Sequence, residues 1–349
     1  MDKDFDRIFT FQNLYLAHKK ARLCKRFKKE VVMFETSLGS NLAKLFFDLK
    51  SGRYKIEGYN TFYITEPKKR RVDALSYKDR IVQHCVCDNY LMPYLEKHLI
   101  YDNAATRKGK GTDFARKRLK KFYVDYYNKH KSNVGYVLKC DIHHYFENVD
   151  HSILKDLIAK KLNDTRINNL LFKIIDSFYV DNQNVGLPIG NQTSQAFAIW
   201  YLDEMDRMIK EKYQIRGYIR YMDDFILISE SKDELKKVLA GIKTYLAEER
   251  RLELNVKTRI YKLSQSVEFV GFNYVLHYDG QVTMRINRKR RAIFLKRVNS
   301  KKKDFLEGKI DKETLKQTYV SYIGHLKRGE NYKYLSKIEK ALNSNIRVK

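Results

Sequence analysis

The chain has 349 residues, 43% of them hydrophobic and 32% charged, a balance that excludes a disordered or fibrous polypeptide and suffices for a core spread over two or three subdomains. Lys and Arg number 70 against 42 Asp and Glu, a formal net charge of +28. So much self-repulsion implies a polyanionic partner, nucleic acid ahead of a membrane surface because no basic amphipathic anchor helix is visible.

No apolar run approaches the roughly 18 residues of a membrane span, and Met1-Asp2-Lys3-Asp4 lacks the order of a secretory signal. Cys24, Cys85, Cys87 and Cys140 form neither a disulfide framework nor a zinc-ligand spacing. The expectation is a reduced cytoplasmic protein without a membrane partner. Residues 1–50 read as helix, with basic stretches at Lys19-Lys20-Ala21-Arg22 and Lys25-Arg26-Phe27-Lys28-Lys29. Residues 54–75 alternate in strand fashion through Tyr54, Ile56, Phe62, Ile64 and Val72, and 76–100 return to helix. Residues 136–141 make a short strand ending in Asp141. A helix follows from about His151, with Ile153, Leu154, Leu157, Ile158 and Leu162 on one face, and a second long helix from near Ser194 carries Ala198, Leu202, Met205 and Ile209.

Two short strands, 218–220 and 225–228, flank Tyr221-Met222-Asp223-Asp224, which predicts a tight hairpin with two carboxylates at its tip. Ser231-Lys232-Asp233-Glu234 is a capping box that opens a third helix with Leu235, Val238, Leu239, Ile242 and Leu246 inward. Strands return at 259–263 and 267–272.

Strand, helix, hairpin, helix, strand is the split βαββαβ plan of an α+β fold. In that plan the first two strands are parallel and the third pairs between them, antiparallel to both. The end of the first strand, at Asp141, then lies beside the turn at Asp223 and Asp224. Adjacent acids repel, and a divalent cation offsets that cost; acidic turn residues are also common, so the pair alone does not make a site. Three carboxylates with few other ligands suit Mg²⁺, which prefers oxygen and shares its shell with phosphates. Two such ions about 3.5–4 Å apart clamp the attacking and leaving oxygens of an in-line displacement at phosphorus. With the basic surface, nucleotidyl transfer is the economical chemistry.

Over nearly all its length the chain resembles reverse transcriptases. Tyr221-Met222-Asp223-Asp224 is similar to their catalytic hairpin, and Asp141-Ile142-His143-His144-Tyr145-Phe146 to their first palm motif. The resemblance implies a right-hand polymerase with fingers, βαββαβ palm and helical thumb: an N-terminal helical extension over 1–50, fingers and palm over 51–284, and thumb over 285–349. It implies catalysis by Asp141, Asp223 and Asp224, which with the Ile142 carbonyl hold two Mg²⁺ ions, Mn²⁺ serving as a substitute. Phe146 is implied to be the gate against the ribose 2′-hydroxyl, whose space a flat ring can fill; a buried core Phe is the plain alternative. Pro67-Lys68-Lys69-Arg70 resembles the finger strand that holds the triphosphate. Lys68 and Arg70 share a strand face, as a solvated basic edge would also have them do. Asp79-Arg80-Ile81-Val82-Gln83 resembles the next finger motif. Leu254-Asn255-Val256-Lys257-Thr258 resembles the motif after the palm helix, its Lys257 protonating the leaving pyrophosphate. Phe269-Val270-Gly271-Phe272 resembles the primer-gripping hairpin, so Phe269 and Gly271, with Tyr221 and Met222, are implied to contact primer and template. Basic residues 285–303 and Tyr322-Ile323-Gly324-His325-Leu326-Lys327 resemble a thumb. The implied partners are template RNA, an RNA–cDNA hybrid and dNTPs.

Within Gly186-Leu187-Pro188-Ile189-Gly190-Asn191-Gln192-Thr193-Ser194-Gln195, Ile189 stands where most of these enzymes have Gln, and Gln195 where they have Pro. That form, with Arg107-Lys108-Gly109-Lys110-Gly111, resembles the enzymes of bacterial and phage diversity-generating retroelements; the glycine loop is too short for a Walker P-loop. The resemblance implies Ile189 and Gly190 in the nucleotide pocket, misincorporation opposite template adenines during mutagenic retrohoming, and an accessory variability protein that forms a small basic oligomer. An aliphatic residue 189 cannot hydrogen-bond a nascent base pair, which weakens polar discrimination; packing of a loop would equally account for it. Retron, group II intron and CRISPR-linked defence enzymes stand as near alternatives, and a template-independent terminal transferase as another. A non-catalytic RNA-binding protein is a further class, against which the intact Asp141, Asp223 and Asp224 speak. No appended maturase, nuclease or protease region is recognisable, so a compact retroelement enzyme is expected.

Overall fold

A computed structural model describes residues 3–65, 69–181 and 183–343. They form two compact units that interleave along the chain. One takes the described residues within Met1–Gly111, Asp141–Gln214 and Lys237–Lys257; the other takes those within Thr112–Cys140, Ile215–Lys236 and Thr258–Lys349.

The first unit is mainly helical. It begins with Lys3–Ile8, Phe11–Ala21, Lys29–Thr36 and Leu38–Lys50, as the sequence predicts for 1–50. Asp164 joins two parts of this unit through one carboxylate. Its Oδ1 accepts from the Ile167 N–H at 3.0 Å, capping helix Thr165–Asp176, and its Oδ2 accepts from the Phe5 N–H at 2.9 Å. The strand-like stretch from 54 becomes a two-stranded antiparallel ribbon, β1 (Tyr59–Ile64) and β2 (Arg70–Leu75), with Phe62 opposite Val72 and Ile64 opposite Arg70. Tyr54 lies outside it: its ring is buried and its hydroxyl donates to Asp79 at 2.6 Å. Asp79 also accepts from the Glu57 N–H (2.8 Å) and the Ser76 hydroxyl (2.9 Å), while Ser76 caps helix Tyr77–Val86. A residue that sequence reasoning places in a finger motif is therefore a fully buried hub of neutral donors.

The long helix predicted from Ser194 is broken. Gln192–Tyr201 ends at Leu202 (φ −107°, ψ 8°), Asp203–Arg207 resumes, and a π-helical turn covers Met208–Lys212. The cause is a competing donor: buried Arg250 donates Nε–H to the Tyr201 carbonyl at 2.8 Å, and the Tyr201 hydroxyl returns a 2.8 Å bond to the Arg250 carbonyl. Ala198, Leu202, Met205 and Ile209 are nonetheless all fully buried, as their spacing requires. Helix His151–Lys161 forms as predicted, and Asp150 caps it through the Ser152 and Ile153 N–H groups.

The second unit holds the sheet. Strands β3 (Tyr136–Asp141), β4 (Gly217–Tyr221), β5 (Asp224–Ser229) and β6 (Arg259–Lys262) stand in the order β4-β5-β3-β6, with β4/β5 and β3/β6 antiparallel. The third strand of the βαββαβ plan thus sits between the second and the first, as the sequence predicts. Phe225, Ile226 and Leu227 are consecutive and fully buried, so β5 is covered on both faces; helix Thr112–His130 packs on β4. The Ser231 capping box forms by half. The Ser231 hydroxyl accepts from the Glu234 N–H at 3.2 Å, but the Glu234 carboxylate takes the Ser229 hydroxyl, and Ser231 donates its own N–H to Ser229 Oγ at 2.9 Å. A second sheet, β7 (Val267–Phe269), β8 (Phe272–Leu276) and β9 (Val282–Ile286), leads into helices Arg288–Leu306, Lys312–Leu326 and Tyr332–Asn343. Among the described residues no helix is long and apolar enough to cross a membrane, and no disulfide forms.

Candidate active site

The tip of the β4–β5 hairpin is a two-residue turn. Tyr221 pairs with Asp224, leaving Met222 and Asp223 between them. Met222 carries φ 57°, a left-handed value that is rare for a Met and gives the turn its primed geometry at the first central position. Arg220, fully buried, donates Nη1–H to the Met222 carbonyl at 3.0 Å and pins the turn from below. Asp223 and Asp224 are both half-buried. The Asp224 Oδ1 receives the Lys139 ammonium at 2.5 Å, the lysine reaching across from the adjacent strand β3.

Asp141 is the last residue of β3, and its backbone is strapped to the segment that follows the palm helix. The Asn255 N–H donates to the Asp141 carbonyl at 2.7 Å and the His143 N–H to the Glu253 carbonyl at 2.9 Å, on either side of an Ile142–Leu254 bridge. In this widely spaced antiparallel pattern the N–H and C=O of Ile142 point away from 253–255. Its carbonyl is therefore not consumed by the strap. Lys257 follows two residues after Asn255; its N–H donates to Asn255 Oδ1 at 3.0 Å in an Asx turn, and its side chain is exposed.

Beyond Asp141, His144 takes φ 43° and a single 3₁₀ turn covers Tyr145–Glu147. Tyr145 is buried and donates its hydroxyl to the Ala198 carbonyl at 2.5 Å. Phe146 is only half-buried, which is not the state of a core phenylalanine. Its carbonyl accepts from the Leu187 N–H at 2.6 Å, and Val149 accepts from the Gly186 N–H at 2.8 Å, so Phe146 is tied to the loop that carries Ile189 and Gly190.

Ile189 is half-buried, and Gly190 has φ 113°. A Cβ on Gly190 would stand 3.4 Å from Val72 of the β1–β2 ribbon. There the loop borders a cavity of about 440 Å³, with Phe62 and Val72 on one side and Lys25, Lys28 and Arg80 supplying positive charge. Arg70 shares the face of Val72 and is exposed; Lys68, paired with it in the sequence expectation, lies outside the described residues. Buried polar atoms without a hydrogen-bond partner gather at this cavity: Asn191 Nδ2, Gln192 Oε1, His84 Nδ1 and an Arg80 Nη. Burial holds the His84 imidazole below its usual range. Burial, then the neighbouring Arg80 and Lys28, do the same to the Lys25 ammonium. The cavity thus offers unsatisfied polar groups of both kinds among three basic side chains and Glu30, whose carboxylate lies 3.7 Å from the Arg80 guanidinium.

In the second unit, Val270 (φ 46°) and Gly271 (φ 83°) turn the β7–β8 hairpin with both central residues at positive φ. A Cβ on Gly271 would fall 2.1 Å from Arg290 Nη1. Buried Arg116 stacks 4.8 Å over Phe272 and donates Nε–H to the Val270 carbonyl at 3.3 Å. Phe269 is fully buried, so its ring belongs to the core, and a ligand meeting this hairpin would meet its backbone.

Among the described residues no group of three or more His, Cys, Asp or Glu side chains is gathered to hold a metal. The strand order expected for a meeting of Asp141, Asp223 and Asp224 is present, but a three-carboxylate cage is not. Like-charged oxygens stay together only around a counter-cation, and Lys139 supplies one to Asp224. The donors themselves, hard carboxylate oxygens plus one carbonyl, match the chemistry of Mg²⁺.

Sequence reasoning missed Lys139, Arg220 and the Asn191 amide. Lys139 was legible in principle, two residues before Asp141 and on the same strand face.

Residues 60–274 match the family described as reverse transcriptase (RNA-dependent DNA polymerase). The group II intron-encoded protein LtrA of Lactococcus lactis subsp. cremoris is 20% identical over 372 residues, covering 84% of this chain and 60% of LtrA. Protein YkfC of Escherichia coli is 23% identical over 294 residues, covering 73% of this chain and 76% of YkfC. The chain thus spans about three fifths of the length of LtrA. Among solved structures, apo telomerase from Candida tropicalis aligns with a TM-score of 0.51 at 17% identity, covering 82% of this chain and 62% of the telomerase. Telomerase from Candida albicans in complex with a fragment of telomeric RNA aligns at 0.50 and 14% identity, covering 83% and 56%. That likeness is one of fold, the α+β right-hand polymerase. With more than half of its residues inside the match, the chain belongs to the reverse transcriptase family.

Proposed function

We propose that the protein is an RNA-directed DNA polymerase that extends a primer by nucleotidyl transfer, with Asp141, Asp223 and Asp224 and the Ile142 carbonyl as ligands for two Mg²⁺ ions. When bound, the ions would supply the charge that activates a primer 3′-hydroxyl and stabilises the leaving pyrophosphate. The observation that carries the proposal is the strand order β4-β5-β3-β6, in which the strand opening with Asp224 neighbours the strand closing with Asp141. Arg70 and Lys257 would meet the triphosphate, Phe146 the sugar, and the Val270–Gly271 turn the primer backbone. The net charge of +28 suits template RNA and an RNA–cDNA hybrid as partners. The same proposal assigns 1–50 to an N-terminal extension, 51–284 to fingers and palm and 285–349 to the thumb, in a protein of the cytoplasm.

Primer extension on an RNA template tests it. Asp223→Asn or Asp224→Asn should abolish Mg²⁺-dependent synthesis while RNA binding persists; synthesis at the wild-type rate by either variant would overturn the assignment. Product formed without template would point instead to a terminal transferase.

The finer proposal is a mutagenic enzyme of a diversity-generating retroelement, acting with an accessory variability protein. Its support is Ile189, half-buried beside Gly190 on the loop that meets the β1–β2 ribbon and unable to hydrogen-bond a base. Ile189→Gln should lower misincorporation opposite template adenine. An unchanged error spectrum would favour the second reading, a group II intron-type enzyme, which the likeness to LtrA supports.

A further inference from the structure

We infer that Lys139 is a positioning residue that holds Asp224 through Oδ1 and competes with a divalent cation for that oxygen. This rests on the proposed role of Asp224 as a metal ligand. The Lys139 ammonium lies 2.5 Å from Asp224 Oδ1, and the two side chains are only 22% and 26% exposed. Neither partner is free to drift. The Lys139 backbone is fixed in the β3–β6 ladder opposite Arg259, and Asp224 opens β5 directly after a turn that Arg220 pins. The ammonium stands 6.0 Å from the centroid of the fully buried Phe269 ring, over the ring face.

One carboxylate oxygen cannot serve an ammonium and a metal at full strength together. The two cations therefore compete for Asp224, and the apparent metal affinity falls by the fraction of molecules in which Lys139 occupies it. Lys139 offsets the repulsion between the neighbouring acids.

Equilibrium dialysis of Mn²⁺ against the full chain, without nucleic acid or dNTP, reads the competition directly. K139M, which keeps an apolar stem of similar length, should bind Mn²⁺ about fivefold more tightly, the upper end for a partly exposed ion pair. K139R should stay within about twofold of wild type because the pair survives. R259M removes a charge at the same register one strand further from β5 and separates competition from the general field. If R259M matches K139M, or if K139M leaves the affinity unchanged, the inference is overturned. D224N reports on the underlying assignment: it should lose Mn²⁺ affinity, and if it does not, Asp224 is no ligand and both claims fall. Should K139M not fold, K139Q is read in the same way.

Discussion

His325 should make the stability of the second unit fall as the pH drops below about 6.5. Its imidazole is held down to about 4 from a usual 6.5, first by burial and then by Arg116, Arg328 and Arg290, with Asp113 opposing them. Phe272 and Phe294 face the ring at 5.3 and 5.6 Å, and its Nε2 has no partner. The charged form is thus disfavoured in the folded chain. Between pH 4 and 6.5 the unfolded chain binds the extra proton and the native one does not, so stability rises with pH across that window and is complete above it. The full shift would be worth about 3 kcal/mol; for a half-buried ring, solvent screening reduces this to about 1–2 kcal/mol. Urea unfolding of wild type and His325→Gln at pH 7.5 and 4.5 measures it. The destabilisation between the two pH values should be about 1–2 kcal/mol larger for wild type than for the variant. Equal losses in the two proteins would refute the assignment of the acid-sensitive group.

Gly271→Ala should cost about 1–2 kcal/mol in the same assay, because a Cβ at positive φ is strained and must also displace the Arg290 guanidinium. Gly308→Ala, at φ 71° in open space, should cost no more than the backbone share of that. Equal losses at the two positions would show that Arg290 yields freely. Asp79→Ala should destabilise by roughly 2–4 kcal/mol, since the buried Tyr54 hydroxyl and the Glu57 N–H lose their acceptor. A loss below about 1 kcal/mol would mean that water replaces the carboxylate.

The palm was legible because its signals are local. Short apolar runs bounded by turn signals gave the strands, and the βαββαβ rule then fixed their order without any knowledge of side-chain contacts. Helix Thr165–Asp176 was missed although Asp164 caps it and Ile167, Leu170, Leu171, Ile174 and Ile175 follow helical spacing into the core. There the signal was present and unused. Helix Thr112–His130 was missed for a better reason: its aromatic and charged residues crowd both faces, and a buried Arg116 blurs the apolar stripe. The break at Leu202 was not legible at all, since the Arg250 guanidinium that takes the Tyr201 carbonyl lies 49 residues beyond that tyrosine. In the candidate site, acids and turn were readable from adjacency, whereas the Lys139 ion pair, the burial of Phe269 and the cavity beside Gly190 depend on which strands and loops become neighbours in space.

Asp164 carries a practical consequence for anyone preparing this protein. One of its two oxygens serves the helix it caps and the other a donor 159 residues before it, at the start of the chain. A tag or trimming that unwinds Lys3–Ile8 would withdraw the Phe5 donor from a carboxylate only 3% exposed. The loss would surface far downstream, as a loosened start of Thr165–Asp176. Fusions at the leading end should accordingly be joined through a linker that leaves that first helical turn intact.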